Sequence, residues 1–265
     1  MSLSELHPVL YVASVSAHRL ARHGRWLANR RDYTSLRGPE PLSNVVKRHE
    51  SPLIRKLGAS DVRLQYGKVQ NLRLAVPRVD GTLIPPGKRF SFWRAIGRTS
   101  ARKGYTEGLV LWKGEARAGV GGGLCQLSNH LHWMALHSPL VVAERHHHGF
   151  DPFPDDRRVL PYGSGATVFY NYLDLELYNP TDYTFQVRMW LTDTHLMGEL
   201  RSDRLLPESY HIEERAHRFT REGEAFFREN ELYRVAFDRA TGRRLGEELV
   251  MKNRGLVKYR PEDVG

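Results

Sequence analysis

Residues 119–148 read GVGGGLCQLSNHLHWMALHSPLVVAERHHH, and this stretch decides how the chain folds. Its three consecutive glycines allow positive φ and a tight turn, which residues with a Cβ rarely permit. Apolar residues then recur at spacings of three and four from Leu124 to Ala135, the pattern of one buried helix face. Ser138-Pro139 ends the pattern, because proline disfavours α geometry in the residue before it. The stretch therefore predicts a helix that begins at Cys125, directly after a glycine loop.

Cys125 is the only cysteine of the chain, and this prediction places it in the first turn of the helix. Unpaired N–H groups at a helix start favour an anion, and a thiolate there can have its pKa lowered from ~8.5 to roughly 3.5–7.5. A glycine loop, a cysteine at a helix start and a later histidine follow the chain order of papain-like and transglutaminase-like thiol enzymes. The alternative is a buried cysteine that packs as a small apolar residue.

The first functional hypothesis is a thiol enzyme, a peptidase, amidase or acyltransferase, that acts on an amide or ester. Cys125 is then the nucleophile, and His148 takes its proton and later protonates the leaving group. Gln126 and the backbone N–H of Cys125 stabilise the oxyanion. A strand predicted over residues 166–178 carries Asn171 and Asp174, either of which follows the histidine as the orienting residue does in papain-like enzymes. Ordinary polar roles at the core edge or the surface remain open for both.

The histidines follow a short apolar run from Leu140 to Ala143 that is typical of a strand. If the strand continues, Glu144, His146 and His148 share one face, so Glu144 can orient an imidazole. Metal binding by these histidines and the cysteine is a further possibility, but no ligand spacing here is typical of zinc. We predict no metal ion and no cofactor.

A binding module without catalysis is the second functional hypothesis. Aromatic side chains would then hold a sugar or a peptide, and basic groups would bind a diphosphate. In that case Cys125 packs in the interior, and the glycines serve close backbone approach.

The composition of the 265 residues excludes several classes of protein. An apolar content of 40% suits a globular domain, and one cysteine excludes an intrachain disulfide or a cysteine-rich zinc module. No window approaches the ~20 apolar residues of a membrane span, and the N-terminus lacks the pattern of a signal peptide. We expect a soluble, cytoplasmic protein.

The net charge of +10 and the pI of about 9.8 call for a partner hypothesis. Basic residues crowd the first segment, and the spacing over residues 15–29 predicts a helix with a basic face. Such a face can meet an anionic membrane surface or phosphates, or can simply be solvated. No RNP, helix-turn-helix or zinc-finger pattern is present, so no nucleic acid partner is expected.

Together these motifs resemble the VanW family, named for a protein encoded with glycopeptide-resistance genes. The resemblance runs from about Leu53 to Asp203 and is most specific in the glycine–cysteine segment. RKLG at 55–58 and GELRSD at 198–203 resemble the short, stand-alone members of the family. The other matching stretches are DGTLIPPG (80–87) with FSF (90–92), GY (104–105) with Glu107, GVGGGLCQ (119–126), Glu144-Arg145 with His148, and GATV (165–168) with YLD (172–174).

The resemblance implies a link to cell-envelope metabolism or glycopeptide resistance, a peptidoglycan-precursor-like molecule as ligand, and no defined reaction. Among the histidines it favours His148, a position shared by secreted and stand-alone members, over His146 and His147. His130 and His132 are peculiar to this chain. The binding candidates that it marks are Gly121, Gly122, Gly123, Glu107, Glu144, Arg145 and Tyr172.

The predicted fold is α+β, with the helix that starts at Cys125 packed on a largely antiparallel sheet. Helical periodicity covers the centre of the chain, whereas most later segments alternate or carry turn signals. We divide the chain into a basic helical N-terminal segment (1–52), a VanW-like core domain (53–203) and a β-rich C-terminal extension (204–265).

Overall fold

A computed structural model of the chain describes residues 8–54, 62–112, 115–151 and 160–259, so residues 55–58 of the family resemblance lie outside it. The α-helices in these ranges are α1 (Pro8–Ala28), α2 (Val62–Val79), α3 (Phe92–Ile96) and α4 (Cys125–Leu136), and a 3₁₀ turn covers Ala101–Lys103. The strands are β1 (Asn44–Pro52), β2 (Leu83–Ile84), β3 (Arg89–Ser91), β4 (Glu107–Trp112), β5 (Glu115–Val120), β6 (Val141–Glu144), β7 (Phe150–Asp151), β8 (Glu176–Tyr178), β9 (Phe185–Leu191), β10 (His195–Ser202), β11 (Glu208–Glu222), β12 (Ala225–Asp238) and β13 (Arg244–Val257).

Within the described residues these strands form four sheets. One has the order β1-β10-β9-β2, and every pair in it is antiparallel. Another has three long antiparallel strands, β11-β12-β13, with β7 parallel to β13 at one edge. The smaller sheets are β3-β8-β6 and the hairpin β4-β5. The predicted α+β class, its helical N-terminal segment and its β-rich C-terminus are confirmed.

Helix α4 occupies the core and begins at Cys125, as the sequence predicts. Leu127, Leu131, Met134 and Ala135 are at most 1% exposed, so the apolar periodicity marks a truly buried face. The helix lies against β1 and β10. It approaches β10 closely at Gly198, where an added Cβ would lie 2.7 Å from Nε2 of His130. Among the described helices, none is long and apolar enough to cross a membrane.

The predicted strand over residues 166–178 is wrong for most of its length. Only β8 is a strand, and the preceding chain makes a tight turn in which the N–H of Phe169 donates to the carbonyl oxygen of Leu173 at 2.9 Å. Asn171 has a φ of +50°, which ends any extended ladder at that point. The next strand, β9, pairs with β10 and β2.

The strand that leads to the histidines is also shorter than the one-face prediction requires. β6 ends at Glu144, so His146 and His148 lie in the following loop and are not held on one strand face. The apolar run ends at Ala143, and pairing with β8 ends one residue later, where Glu144 lies opposite Glu176.

Two histidine side chains of α4 are almost completely buried. His130 and His132 are each 1% exposed. Burial lowers the pKa of His130 to about 3, and the neighbouring His49 adds to the effect. Burial, with a contribution from Arg145, lowers the pKa of His132 to about 3 as well. Both rings are therefore neutral in the folded protein near pH 7.

We expect these histidines to destabilise the protein in mild acid. Below about pH 6.5 the unfolded chain binds protons that the folded chain excludes, so the free energy of unfolding falls as the pH drops toward 3. Each fully buried histidine should contribute a loss of roughly 1–2 kcal/mol between pH 6.5 and pH 5. Urea unfolding at pH 7 and at pH 5 measures the difference.

Two matched variants test whether the loss of stability in acid comes from the buried ring of His132. Nδ1 of His132 donates to the carbonyl oxygen of Ser164 at 2.8 Å, and His132→Asn keeps a donor there while removing the titration. The loss of stability at pH 5 should shrink in this variant and stay unchanged in His147→Asn, where the ring is exposed. Identical pH dependence in His132→Asn and the wild type would refute the assignment.

Candidate functional site

A cleft of about 200 Å³ lies where α4 begins, beside α2 and the end of β1. It brings together Gly123, Cys125, Gln126 and His148, four residues that the sequence singled out. This Cys125 cleft is lined by His49, Ser51, Gln65, Lys68, Leu109, Gly123, Cys125, Gln126, Asn129, His130, His148 and Leu160.

The glycine loop that leads into α4 is shaped by close packing. Gly121 and Gly123 have φ values of +77° and +89°, which favour glycine. A Cβ on Gly122 would lie 2.2 Å from the carbonyl oxygen of Gly108, and one on Gly123 would lie 2.1 Å from Cγ of Lys68. The three glycines are thus required by the packing of the loop, and only Gly123 lines the cleft.

Cys125 is half-buried and packs against the main hydrophobic core. Its Sγ faces the carbonyl oxygen of Val168 at 3.9 Å. Burial raises the pKa of this thiol, contrary to the lowering that its helix position predicted. The reason is that the apolar surroundings destabilise the thiolate by more free energy than the helix N-terminus stabilises it.

His148 is half-buried beside the same cleft. Burial lowers its pKa, and the neighbouring His147 acts in the same direction. In the described parts of the chain no hydrogen bond joins this imidazole to Sγ of Cys125. The resting cleft therefore holds a protonated thiol and a neutral imidazole instead of an ion pair.

The side chain of Gln126 is fixed by two donated hydrogen bonds. Its Nε2 donates to Oγ of Ser51 and to the carbonyl oxygen of Pro52, both at 2.9 Å. A carbonyl can only accept, so the amide orientation is settled. Oε1 is buried without a hydrogen-bond partner. In this arrangement the unpartnered atom of the Gln126 amide is an acceptor, whereas the predicted oxyanion role requires a donor.

Gln65, on α2, supplies the donor that Gln126 cannot. Its side chain is 2% exposed, and its Oε1 accepts from Nζ of Lys68 at 2.8 Å. The ammonium group of Lys68 can only donate, so the atom that it contacts must be the amide oxygen of Gln65. The amide nitrogen, Nε2, is buried without a partner. Sequence reasoning missed Gln65 and Lys68, whose spacing of three on a helix was the available signal.

His130 also belongs to the cleft, although the sequence set it aside. Its Nε2 donates to the carbonyl oxygen of His49 at 3.0 Å, which leaves Nδ1 as an acceptor 3.4 Å from Oγ of Ser51. Gln126 donates to the same hydroxyl. A chain of hydrogen bonds therefore runs from Gln126 through Ser51 to His130 along one wall of the cleft.

Asp174 and Asn171 lie outside the cleft lining. Asp174 is fully buried and accepts from Oγ of Ser91 at 2.6 Å and from the backbone N–H of Trp93 at 3.1 Å. Asn171 is paired with His23, with 2.6 Å between Nδ2 and the ring Nε2. In the described residues neither contacts His148, so neither orients that ring.

Glu144 does orient an imidazole, that of His146, whose Nε2 lies 3.1 Å from Oε1. The same carboxylate accepts from both guanidinium nitrogens of Arg22 on α1 and from Arg25 at 2.8 Å. Burial alone would raise the pKa of Glu144, but these hydrogen bonds outweigh it and hold the pKa well below its usual range. Glu144 is thereby a contact between α1 and the core.

The remaining binding candidates also lie away from the cleft lining. Arg145 donates from Nε to the carbonyl oxygen of Gly165 at 2.8 Å and is held in place by the backbone. Tyr172 packs edge-on against His18 of α1, with ring centroids 4.9 Å apart. Glu107 is exposed at the start of β4. In the described residues no group of three or more His, Cys, Asp or Glu side chains is placed to hold a metal ion.

Comparison with known proteins gives two kinds of match. Residues 67–201 match the model of a family described as VanW like protein. The chain is 30% identical over 233 residues to the vancomycin B-type resistance protein VanW of Enterococcus faecalis. The aligned region covers 88% of this chain and 85% of that protein. It is also 30% identical over 160 residues to the uncharacterized protein YoaR of Bacillus subtilis. That aligned region covers 56% of this chain and 50% of YoaR. No solved structure matches significantly.

The packing of the glycine loop gives a direct test. Gly122→Ala should destabilise the protein by more than about 2 kcal/mol, because its Cβ would overlap backbone atoms of Gly108 that cannot move aside as a side chain can. Gly149→Ala is the control, since a Cβ there meets nothing within 4 Å. Urea unfolding of both variants measures the effect. Similar stability for the two would show that the loop is not fixed by this contact.

Proposed function

Because the chain belongs to the VanW family, we propose that it takes part in glycopeptide resistance by binding a peptide-like cell-envelope ligand in the Cys125 cleft. The Enterococcus faecalis relative is named for resistance to vancomycin. The ligand class that fits this premise is a peptidoglycan-precursor-like peptide, whose repeating groups are amides.

The observation that carries the proposal is a pair of unpartnered amide atoms. Nε2 of Gln65 is a buried donor and Oε1 of Gln126 a buried acceptor, and both side chains line the cleft. Buried polar groups are normally hydrogen-bonded, and leaving one unpaired costs about 1–3 kcal/mol. A peptide group offers one acceptor and one donor. A bound peptide would satisfy both atoms and recover that cost.

The hydrogen bonds around the two glutamines make this pair a preorganised one. Lys68 fixes the amide of Gln65, while Ser51 and Pro52 fix that of Gln126. Ligand binding then needs little further ordering of these side chains, and preorganisation of this kind favours affinity.

Gln65→Glu should weaken binding of a muramyl pentapeptide at least about tenfold, since one lost hydrogen bond in a buried site is worth about that much. The variant keeps an oxygen for Nζ of Lys68, removes the donor Nε2 and adds one negative charge. Isothermal titration calorimetry with wild type and variant gives the ratio of dissociation constants.

The matched control is Gln70→Glu, which makes the same change of charge on α2 at a residue outside the cleft lining. It should bind the pentapeptide as the wild type does. Equal weakening in both variants, or a wild type that binds no pentapeptide, would overturn the proposed ligand class.

A thiol enzyme is the second candidate, and the convergence of Cys125 and His148 in one cleft favours it. His148 would accept the thiol proton once the ligand brings the two groups together, and the sulfur would attack the amide or ester carbonyl carbon. Nε2 of Gln65 would donate to the oxyanion. The leaving group would take the proton from His148, and water would hydrolyse the thioester.

The free protein should show a thiol that is protonated at neutral pH. Alkylation of Cys125 by iodoacetamide should have its midpoint at a higher pH than alkylation of a free cysteine peptide, because burial raises the pKa of this thiol. His148→Ala should leave the curve unchanged, since no hydrogen bond links the two groups. A midpoint that lies below that of the peptide and rises in His148→Ala would instead reveal a thiolate–imidazolium pair.

Turnover separates the two candidates. With the pentapeptide bound, Cys125→Ser should abolish cleavage without weakening binding if the thiol is the nucleophile. Wild-type protein that binds the peptide and never cleaves it would refute the enzyme and leave the binding function in place.

A further inference from the structure

An ordinary surface helix turns its apolar stripe inward and its charges to solvent. Helix α1 differs because it also exposes large apolar residues on its outer face and buries an arginine on its inner face. Val15 and Trp26 are buried on its inner face, and Arg22 lies between them at 9% exposure. Its exposed leucines lie on the other side: Leu10 is 49%, Leu20 72% and Leu27 72% exposed.

The inner face is bound to the core through its arginines. Arg22 donates to Oε2 of Glu144 at 2.9 Å, and NH2 of Arg25 donates to Glu144 at 2.8 Å and to Glu176 at 2.9 Å. Nε of Arg19 donates to the carbonyl oxygen of Tyr170 at 3.3 Å. These contacts fix which side of the helix faces outward, so the outer face cannot rotate inward to hide its leucines.

The outer face carries no charge over most of the helix. Between Leu10 and Leu27 the exposed positions on that side include Ala13, Ala17 and Gly24. The distance from Leu10 to Leu27 along the axis is about 26 Å. A Cβ on Gly24 meets nothing within 4 Å, so no described part of the chain covers this surface.

We propose that this outer face of α1 docks the protein on an anionic membrane, with the helix axis in the plane of the interface. The helix contains no Asp or Glu, and Arg30 and Arg31, which follow it after Asn29, are exposed cations. Exposed leucines flanked by cations suit an interface in which apolar side chains enter the acyl boundary and cations meet lipid phosphates.

Charge and spacing favour a membrane over a second copy of the chain. A second copy would bring a helix that also lacks acidic residues, so neither orientation would provide a countercharge. Leu10, Leu20 and Leu27 are ten and seven residues apart with small residues between them, too sparse for the interlocking seam of paired helices. A lipid surface needs no such interlocking.

The test is vesicle flotation of the full chain. Wild type should float with vesicles of one part phosphatidylglycerol to three parts phosphatidylcholine at 0.1 M salt. It should not float with phosphatidylcholine alone, and binding should weaken at 1 M salt as the Debye length falls from about 10 Å to about 3 Å. The double variant Leu20→Glu/Leu27→Glu should bind at least tenfold more weakly.

The control is Leu205→Glu/Leu249→Glu, which changes the net charge equally at leucines that are 63% and 50% exposed elsewhere. It should keep wild-type binding. Leu20→Ser/Leu27→Ser, which leaves the charge unchanged, should lose binding as well. Failure of the wild type to float, equal loss in the control pair, or a dimer in sedimentation velocity that Leu20→Glu dissociates would each overturn the proposal. Pentapeptide binding should be unaffected in all of these variants. The membrane-docking proposal can therefore be refuted without refuting the proposed function of the cleft, and the reverse.

Discussion

Asn71 makes the contact on which the position of the cleft depends. Fully buried on α2, it accepts from the N–H of Thr106 at 2.8 Å and donates to the carbonyl oxygens of Thr106 and Gly122 at 3.0 and 2.9 Å. Thr106 precedes β4 and Gly122 follows β5, so one side chain holds both ends of the hairpin. Without it the N–H of Thr106 and the carbonyl oxygen of Gly122 would lose their partner, at about 1–3 kcal/mol for each that stays buried. The start of α4, and with it Cys125, is located relative to α2 by this bond set.

A second constraint joins α1 to the core through buried carboxylates. Glu144, Asp174 and Glu176 lie close to Arg22, at N–O distances of 2.5 to 3.6 Å. Burial raises the pKa of Asp174 to about 7, against the opposing hydrogen bonds from Ser91 and Trp93 and the charge of Arg22. Removing one partner from such a cluster leaves an uncompensated buried charge, which costs far more than an exposed ion pair contributes. Helix α1 is therefore anchored to the folded core, whatever its outer face contacts.

The sequence predicted those features that local rules determine. The helix from Cys125 follows from a period of three to four between glycines and a proline, and it begins at the predicted residue. The strand predicted through Asn171 failed because alternation cannot reveal that this asparagine adopts a positive φ and pairs with His23 on a distant helix. The sequence predicted some of the residues that line the cleft and missed others. Cys125, Gln126 and His148 were found, whereas Gln65 and Lys68 were missed because only the fold brings α2 beside the glycine loop.

The chemistry of the cleft follows from one physical cause with two effects. Burial leaves Nε2 of Gln65 and Oε1 of Gln126 without partners among the described residues, and burial also raises the pKa of the Cys125 thiol. The first effect increases what a peptide ligand gains on binding, while the second reduces the reactivity of the empty site. A thiol in such a cleft is protected until a ligand brings a base or a dipole close to it. Under the proposed function, recognition of the ligand by the two amides therefore precedes any covalent step at Cys125.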